Sequence, residues 1–316
     1  MHLPASERRR PLTADELSRL STALGTEIAI AEPLVGGLDT ATYRLDARAA
    51  IGDVGRMVLH RYQGWERPRA TDRVRREREL LAAIGPDFRW APRVVFSDPE
   101  GTVLGEPASV LTYIDGAPTP PPQNGDRRAR ERWIQEFARP LVTLHRIPLE
   151  RLPADTREDD ADGGLASLES QTRDDELSRS LLNALHRLSP VRPARRVLLH
   201  HDYWYGNTIW SGGSLVGVID WISARTGDAQ KDVALARSDV AVTLDLGAAD
   251  ELTDHYRRLG GESGSVVYWD LLFGLMAHRW VEDWHAGWAE LGLAISLDTA
   301  RARIAAFAKN ALRASM

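Results

Sequence analysis

One segment, residues 197–221, constrains the fold more than any other part of the 316-residue chain. A β-prone run leads into a loop that carries Asp202, and Asn207 follows five residues later. A two-glycine turn then leads into a second apolar strand, which ends at Asp220. This order of strand, loop, hairpin and acid predicts that two carboxylates and one amide lie close together.

These three side chains suit phosphoryl transfer. That reaction needs a carboxylate to orient the attacking hydroxyl and accept its proton, and oxygen ligands that hold Mg²⁺ against the phosphates. Mg²⁺ keeps several waters, so one carboxylate, one amide oxygen and the donor phosphates make a sufficient site. The segment therefore supplies the groups that a Mg²⁺-dependent phosphotransferase needs, with Asp202 suited to act as the base and Asn207 and Asp220 suited to hold the metal.

The composition excludes several other classes of protein. The absence of cysteine rules out disulfides, thiolate metal sites and cysteine nucleophiles. A formal net charge of -5 provides no basic field for nucleic acid. No stretch is apolar for the roughly 20 residues of a membrane span, and no apolar segment follows the basic start of the chain. We expect a soluble, cytoplasmic protein that acts on a small molecule, without nucleic-acid or membrane partners.

The length and the order of local patterns predict two lobes. Short β-prone runs, with one helical pattern at residues 73–84, predict an N-terminal antiparallel sheet with a helix on it. The proline run at residues 118–122 ends both patterns, so we place the boundary near Gly116. Residues 1–115 then form the N lobe, and residues 116–316 form a larger, mainly helical C lobe.

An acidic segment interrupts the helical patterns of the second half, between Asp155 and Asp175. Its composition predicts a solvated loop. The alternative is a rim that attracts a cationic substrate.

The segment from His200 through Asp202 to Asn207, followed by Ile219-Asp220-Trp221, resembles the catalytic and metal-binding motifs of the aminoglycoside phosphotransferase and choline kinase-like family of small-molecule kinases. The resemblance spans roughly residues 34–239. It implies an α+β, protein-kinase-like two-lobed fold, with Mg²⁺ and either ATP or GTP as cofactors. The family motif usually has glycine where this chain has His201. The resemblance also implies that His200 and Asp232 support the catalytic loop.

The same resemblance implies a nucleotide site in the N lobe. Kinases usually grip the donor phosphates with a strand lysine, but the only lysines here are Lys231 and Lys309. Either His60 or Arg61 must replace it, with Glu77 holding that group, and strand alternation does not decide between them. The nucleotide-binding residues implied are Gly36, Gly37, Thr40, His60, Arg61, Glu77, Thr112, Tyr113 and Ile114.

The acceptor implied by the resemblance is an aminoglycoside-like antibiotic, which would make the chain an antibiotic-resistance enzyme. A metabolic kinase for a sugar, choline or an amino alcohol is the alternative, and a non-catalytic nucleotide-binding protein is a rival from another class. Tryptophans recur at helical spacing near residues 280–288, a pattern more often due to packing than to ligand binding. Aromatic rings beside carboxylates also suit a sugar or a cation. The acceptor-site candidates are Trp280, Glu282, Asp283 and Trp284.

Overall fold

The computed structural model describes residues 10–34, 40–51, 54–62, 67–123, 125–154, 156, 158, 161–188, 193 and 195–316. The chain divides into two compact units. Unit 1 comprises Met1–Asp115 and Leu152–Ala154, and unit 2 comprises Gly116–Arg151 and Asp155–Met316. Among the helices of the described residues, none is long and apolar enough to cross a membrane.

Unit 1 contains an antiparallel sheet and two helices. The helices are α1 (Ala14–Leu24) and α2 (Arg67–Ile84). The strands are β1 (Ile28–Pro33), β2 (Ala41–Ile51), β3 (Val54–Arg61), β4 (Val94–Asp98) and β5 (Ala108–Thr112). They lie in the order β1-β2-β3-β5-β4, and every neighbouring pair is antiparallel. Unit 1 therefore has the sheet and the helix that the sequence predicts.

Local sequence sets both ends of α1. The Thr13 hydroxyl accepts the backbone N–H of Glu16, and the Glu16 carboxylate accepts the backbone N–H of Thr13. This capping box satisfies donors that a helix start leaves unpaired. Gly25 ends the helix in the left-handed conformation, at φ 70°, which costs glycine no steric strain.

The two faces of β3 have different neighbours. Met57 and Leu59 are buried in a core cluster with Leu20 of α1 and Tyr43 of β2. Side chains two residues apart in a strand share a face, so Arg61 lies on this same face and His60 on the opposite one. The alternation therefore sends the two candidate phosphate-binding side chains in opposite directions.

Unit 2 is mainly helical. Its helices are α3 (Arg127–Leu144), α4 (Ala161–Glu169), α5 (Glu176–Leu188), α6 (Ala229–Thr243), α7 (Leu246–Arg258), α8 (Val267–Trp288) and α9 (Leu297–Ala314). Its strands form two antiparallel pairs, β6 (Arg196–Leu199) with β9 (Arg225–Asp228), and β7 (Thr208–Ser211) with β8 (Ser214–Val218).

Helix α8 lies at the centre of the unit 2 core, packed against α5, α6 and α9. The prediction of a solvated loop between Asp155 and Asp175 is wrong for part of that segment, because residues 161–169 form α4. Leu165 and Leu168 of α4 are buried in the α8 cluster. Burial of these two leucines stabilises a helix that the acidic local composition does not predict.

A buried ion pair ties three helices of unit 2 together. The Arg237 guanidinium of α6 donates from Nε to both carboxylate oxygens of Asp270 in α8, at 3.2 and 3.1 Å. Its Nη1 donates to the backbone oxygen of Ala249 and to the Thr253 hydroxyl, both in α7, and its Nη2 donates to Asp250. Burial raises the pKa of Asp270 to about 6, although Arg237 acts in the opposite direction.

Candidate active site

The catalytic loop begins where β6 ends, and α6 holds its first two residues. The backbone N–H groups of His200 and His201 donate to the two oxygens of Asp232, at 2.7 and 2.8 Å. Nε2 of His145 also lies 3.4 Å from Asp232 Oδ2. Burial alone would raise the pKa of Asp232, but His145 and the loop amide outweigh it, so the pKa lies below its usual value. Asp232 is therefore an ionised buried acceptor, in a position to anchor the loop.

His200 links the loop to the segment between β8 and Asp220. Its Nε2 lies 2.9 Å from the backbone oxygen of Ile219, so this nitrogen carries the proton and donates. Burial lowers the pKa of His200 to about 4, and Nδ1 has no hydrogen-bond partner among the described residues. A neutral histidine with these contacts suits a supporting role, and its catalytic or structural assignment stays a prediction.

Two non-glycine residues of the site have positive φ. His201 is at φ 69° and Asp220 is at φ 65°. Side chains with a Cβ adopt this left-handed region at a cost, and Asp tolerates it better than most. His201 occupies the position where the related motif usually has glycine, and the positive φ explains why glycine suits it.

Asp202 and Asn207 are joined by hydrogen bonds across the loop. Nδ2 of Asn207 donates to the backbone oxygen of Asp202 at 2.9 Å and to its Oδ2 at 2.8 Å. These bonds fix the orientation of the amide and direct Nδ2 toward Asp202, which makes Oδ1 the amide atom suited to a cation. Burial, followed by the charge of Asp220, raises the pKa of Asp202 to about 7.

Asp220 lies two residues beyond the end of β8 and close to Asn207. The backbone N–H of Ile219 donates to the backbone oxygen of Asn207 at 2.9 Å, which places Asp220 beside the loop. The structure therefore brings together the three residues that sequence analysis selected for catalysis and metal binding. Their catalytic and metal-binding roles stay predictions.

The oxygen atoms of Asn207 and Asp220 are of the kind that Mg²⁺ binds. The described residues contain no group of three or more His, Asp or Glu side chains suited to hold a metal ion. Mg²⁺ does not require such a group, because it binds one or two protein oxygens together with phosphates and water. The charge of Asp220 raises the pKa of Asp202, so the site concentrates negative charge that a divalent cation would offset. Asn207 and Asp220 therefore fit Mg²⁺.

In unit 1, a histidine and a glutamate meet on the α2 side of the sheet. Nδ1 of His60 lies 3.9 Å from Oε1 of Glu77, and the Ser109 hydroxyl donates to Oε2 of Glu77 at 2.9 Å. Burial raises the pKa of Glu77 to about 7, and the bond from Ser109 partly opposes this. Of the two alternatives left open by the sequence, His60 is thus the residue beside Glu77.

Arg61 has different partners. Its Nη2 donates to Oε1 of Glu16 at 3.0 Å and to Oε2 of Glu106 at 2.8 Å, and its side chain is 1% exposed. A pairing of Glu77 with Arg61 is therefore wrong for this structure, because strand alternation sends Arg61 to the α1 side of the sheet. A role for Arg61 in binding nucleotide is left without a supporting contact.

The other nucleotide-site candidates are two glycines, Thr40 and residues 112–114. Gly36 and Gly37 lie outside the described residues, whereas the hydroxyls of Thr40 and Thr42 are 3.4 Å apart. The backbone N–H of Tyr113 donates to the backbone oxygen of Arg56 in β3 at 3.2 Å. Thr112 and Ile114, on either side of Tyr113, are partly exposed. Residues 112–114, which the resemblance implies contact the nucleotide base, thus continue from the end of β5 and stay beside the sheet.

The acceptor-site candidates lie in the last three turns of α8, and they differ in environment. The rings of Trp280 and Trp284 are stacked with centroids 6.4 Å apart, and Trp280 packs against the unit 2 core. Glu282 accepts hydrogen bonds from Arg173 and Arg301, whereas Asp283 is exposed. The structure thus gives Glu282 structural partners, and acceptor binding by the four residues stays a prediction.

One residue that contacts the catalytic loop was missed in the sequence. Asp239 of α6 accepts the backbone N–H of Tyr205 at 3.0 Å. The sequence contains one signal that could have identified it. Asp239 lies seven residues after Asp232, and residues seven apart lie on one face of a helix, so both carboxylates can face the loop.

A model of the phosphotransferase enzyme family matches residues 30–265 of the chain. A comparison with curated protein sequences found no significant match. The chain is similar in structure to macrolide 2′-phosphotransferase MphH from Brachybacterium faecium, with 18% identity, a TM-score of 0.64, and coverage of 92% of this chain and 98% of that one.

Two further solved structures are similar in the same way. A macrolide 2′-phosphotransferase type I has 15% identity and a TM-score of 0.65, covering 91% of this chain and 100% of that one. A thermostable mutant of aminoglycoside phosphotransferase APH(4)-Ia, in a ternary complex with ADP and hygromycin B, has 15% identity and a TM-score of 0.63, covering 94% and 97%. These likenesses confirm the predicted α+β, protein-kinase-like fold.

Proposed function

Because the chain belongs to the phosphotransferase enzyme family, we propose that it transfers the γ-phosphoryl group of ATP or GTP to a hydroxyl group of a small molecule in a Mg²⁺-dependent reaction. The observation that carries this proposal is the hydrogen bond between Asn207 Nδ2 and Asp202 Oδ2, formed beside Asp220. This bond supports the proposal because the proposed base and the two proposed oxygen ligands then lie within one loop and the segment that follows β8.

In the proposed reaction, Asp202 orients the acceptor hydroxyl and takes its proton. A bond forms between the acceptor oxygen and the γ-phosphorus, and the bond from that phosphorus to the β–γ bridging oxygen breaks. The electron pair of the broken bond leaves with the nucleoside diphosphate. A carboxylate with a pKa of about 7 is suited to accept a proton and to release it again near neutral pH.

Other residues of the chain position the reactants. Asn207 and Asp220 would hold Mg²⁺, which when bound supplies positive charge against the phosphates. His60 would contact the donor phosphates, and Glu77 would orient the imidazole of His60. Asp232 would hold the start of the catalytic loop through the amides of His200 and His201. Positioning of this kind contributes much of the rate when the protein forms no covalent intermediate.

For the acceptor, we propose an aminoglycoside-like antibiotic. The formal charge of -5 favours a cationic acceptor. One similar structure is an aminoglycoside phosphotransferase complexed with hygromycin B, and two others are macrolide phosphotransferases. Macrolides therefore belong in the same test, as do the metabolic alternatives of sugars, choline and amino alcohols.

The test is nucleoside diphosphate release from ATP or GTP, with and without Mg²⁺, across a panel of aminoglycosides, macrolides, sugars and amino alcohols. We expect stimulation by one acceptor class and loss of about 10²- to 10⁴-fold in kcat for Asp202→Ala, because general base catalysis is removed. The matched control is Asp298→Ala, which removes an exposed carboxylate of α9.

The outcomes separate the alternatives. Turnover with a sugar or amino alcohol alone would select the metabolic kinase. Turnover that persists in Asp202→Ala at the wild-type rate would contradict the proposed base. Nucleotide binding without turnover, for every acceptor in the panel, would favour the non-catalytic protein.

A further inference from the structure

The catalytic loop has two attachment points on helix α6. Asp232, in the first turn of α6, accepts the amides of His200 and His201. Asp239 lies seven residues further on the same face, about 10 Å along the helix at a rise of about 1.5 Å per residue. Because the two carboxylates are spaced in this way, they reach different parts of the loop.

Asp239 is attached to the part of the loop that carries Asn207. Oδ2 of Asp239 accepts the backbone N–H of Tyr205 at 3.0 Å. Tyr205 begins the short 3₁₀ turn Tyr205–Asn207, which the Asn207 N–H closes by donating to the backbone oxygen of Trp204 at 3.0 Å. A shift of Tyr205 would therefore move Asn207 directly.

Tight packing restricts the conformation of the turn Tyr205–Asn207. The ring of Tyr205 is buried, and the Trp204 ring lies over Gly206 so closely that a Cβ there would be 2.3 Å from it. The turn thus requires a close approach of the Trp204 ring to the backbone of Gly206. Among the described residues, the bond from Tyr205 to Asp239 is the only one that joins this turn to a carboxylate of α6.

Holding a carboxylate at this position has an energetic cost. Burial, together with the charge of Asp202, raises the pKa of Asp239 to about 7, against the effect of the hydrogen bond from Tyr205.

We infer that Asp239 is a positioning residue, which holds the turn Tyr205–Asn207 so that Asn207 bonds to Asp202 through Nδ2 and presents Oδ1 to Mg²⁺. The metal-binding half of this inference rests on the proposed function. The structural half, that Asp239 holds Tyr205, does not depend on it.

The variants are Asp239→Ala, which removes the acceptor, and Asp239→Asn, which removes the charge but keeps an acceptor oxygen. The matched control is Asp245→Ala, because Asp245 also accepts a backbone N–H, that of Ala248 at 2.9 Å, at the start of α7. If Asp239→Ala does not fold, Asp239→Ser replaces it, since a serine side chain is too short to take over the bond without movement of the turn.

The first readout is amide hydrogen exchange in the metal-free protein. We expect the Tyr205 amide to lose protection in Asp239→Ala, to keep it in Asp239→Asn, and to be unaffected in Asp245→Ala. Wild-type protection of Tyr205 in Asp239→Ala would overturn the inference, because the bond would then be unnecessary for the turn.

The second readout is the affinity for Mn²⁺ in the presence of ADP, measured by electron paramagnetic resonance. We expect Asp239→Ala to weaken Mn²⁺ binding by about 10- to 100-fold, the usual effect of losing a residue that orients a metal ligand, and Asp239→Asn to restore it. Equal weakening in both variants with unchanged Tyr205 exchange would assign the effect to charge and overturn the positioning role. A wild-type protein without Mn²⁺ affinity would contradict the proposed function instead, while the exchange experiment would still decide whether Asp239 holds Tyr205.

Discussion

His201 and Asp220 are the non-glycine residues with positive φ in the described part of the chain, and both border the candidate active site. Strained backbone of this kind persists only where surrounding contacts impose it. At His201 the contact is the bond from its backbone N–H to Asp232, which also receives the N–H of His200. Attachment of two consecutive amides to one buried carboxylate therefore imposes a conformation that histidine does not favour.

We predict that His201→Gly raises the free energy of unfolding by about 0.5–1 kcal/mol. Relief of left-handed strain is worth about 1–2 kcal/mol, and the greater freedom of glycine in the unfolded chain opposes it by about 0.5–1 kcal/mol. Denaturant unfolding measures the change. His201→Ala is the control, because alanine keeps the strain, and equal destabilisation by both variants would show that contacts of the imidazole outweigh the strain.

His60 takes the place in the proposed nucleotide site where kinases usually have a lysine. Its Nδ1 lies 3.9 Å from Oε1 of Glu77 in α2, and the Ser109 hydroxyl of β5 donates to the other oxygen of that carboxylate. Glu77 is therefore in a position to orient the imidazole of His60 toward a phosphate.

We predict that His60→Ala weakens ATP affinity by about 10- to 100-fold, because it removes a hydrogen-bonding group proposed to contact the charged donor phosphates. His60→Lys should keep most of the affinity, since an ammonium group also binds phosphate. Isothermal titration calorimetry with Mg²⁺ measures the affinities. Wild-type affinity in His60→Ala would remove His60 from the phosphate site.

At the scale of elements, α6 connects the catalytic loop to the core of unit 2. It holds the loop through Asp232 in its first turn and Asp239 seven residues later, and Arg237 between them reaches α7 and α8. The Arg237–Asp270 pair is nearly excluded from water, with side chains 5% and 6% exposed. The helix that holds the loop is thus itself joined to the core by a buried ion pair, and removal of one member alone would leave the other charge buried without its partner.

We predict that Arg237→Met lowers the free energy of unfolding by about 3–5 kcal/mol, because it leaves Asp270 buried without its partner. Arg237→Met with Asp270→Leu should recover most of this loss, since two apolar side chains need no partner. Thermal and denaturant unfolding of the two variants measures the difference. A double variant as unstable as the single one would show that the bonds of Arg237 to α7 carry the stability.

The same pair predicts how stability changes with pH. Asp270 has its pKa raised to about 6, above its value in the unfolded chain, so the folded protein binds this proton more tightly. Its contribution is full at pH values below the unfolded pKa of about 4, and is lost as the pH rises to about 6. In Arg237→Met the loss should extend to higher pH, because the opposing charge of Arg237 is gone.

At the scale of the whole molecule, each unit has its own source of stability. Unit 1 relies on the sheet and the cluster that α1 closes, with Glu16 and Glu106 pairing the buried Arg61. Unit 2 relies on helices packed around α8. The predicted base and metal ligands all belong to unit 2, whereas His60 and Glu77 belong to unit 1.

The sequence by itself determined the fold class and the family, and it selected the residues of the predicted catalytic segment. Asp202, Asn207 and Asp220 lie within 19 consecutive residues, so strand and turn signals are enough to bring them together. Local signals also determined the start of α1, where the capping box joins Thr13 and Glu16.

Tertiary structure alone decided the features that depend on packing between distant segments. Strand alternation puts His60 and Arg61 on opposite faces of the sheet, but it does not say which face each of them takes. Only the placement of α1 on one face and α2 on the other shows that His60 is the residue beside Glu77. Helix α4 forms because its leucines are buried against α8, and Glu282 is bound by arginines from two other segments. These contacts join residues far apart in sequence, where no local pattern records which side chains meet.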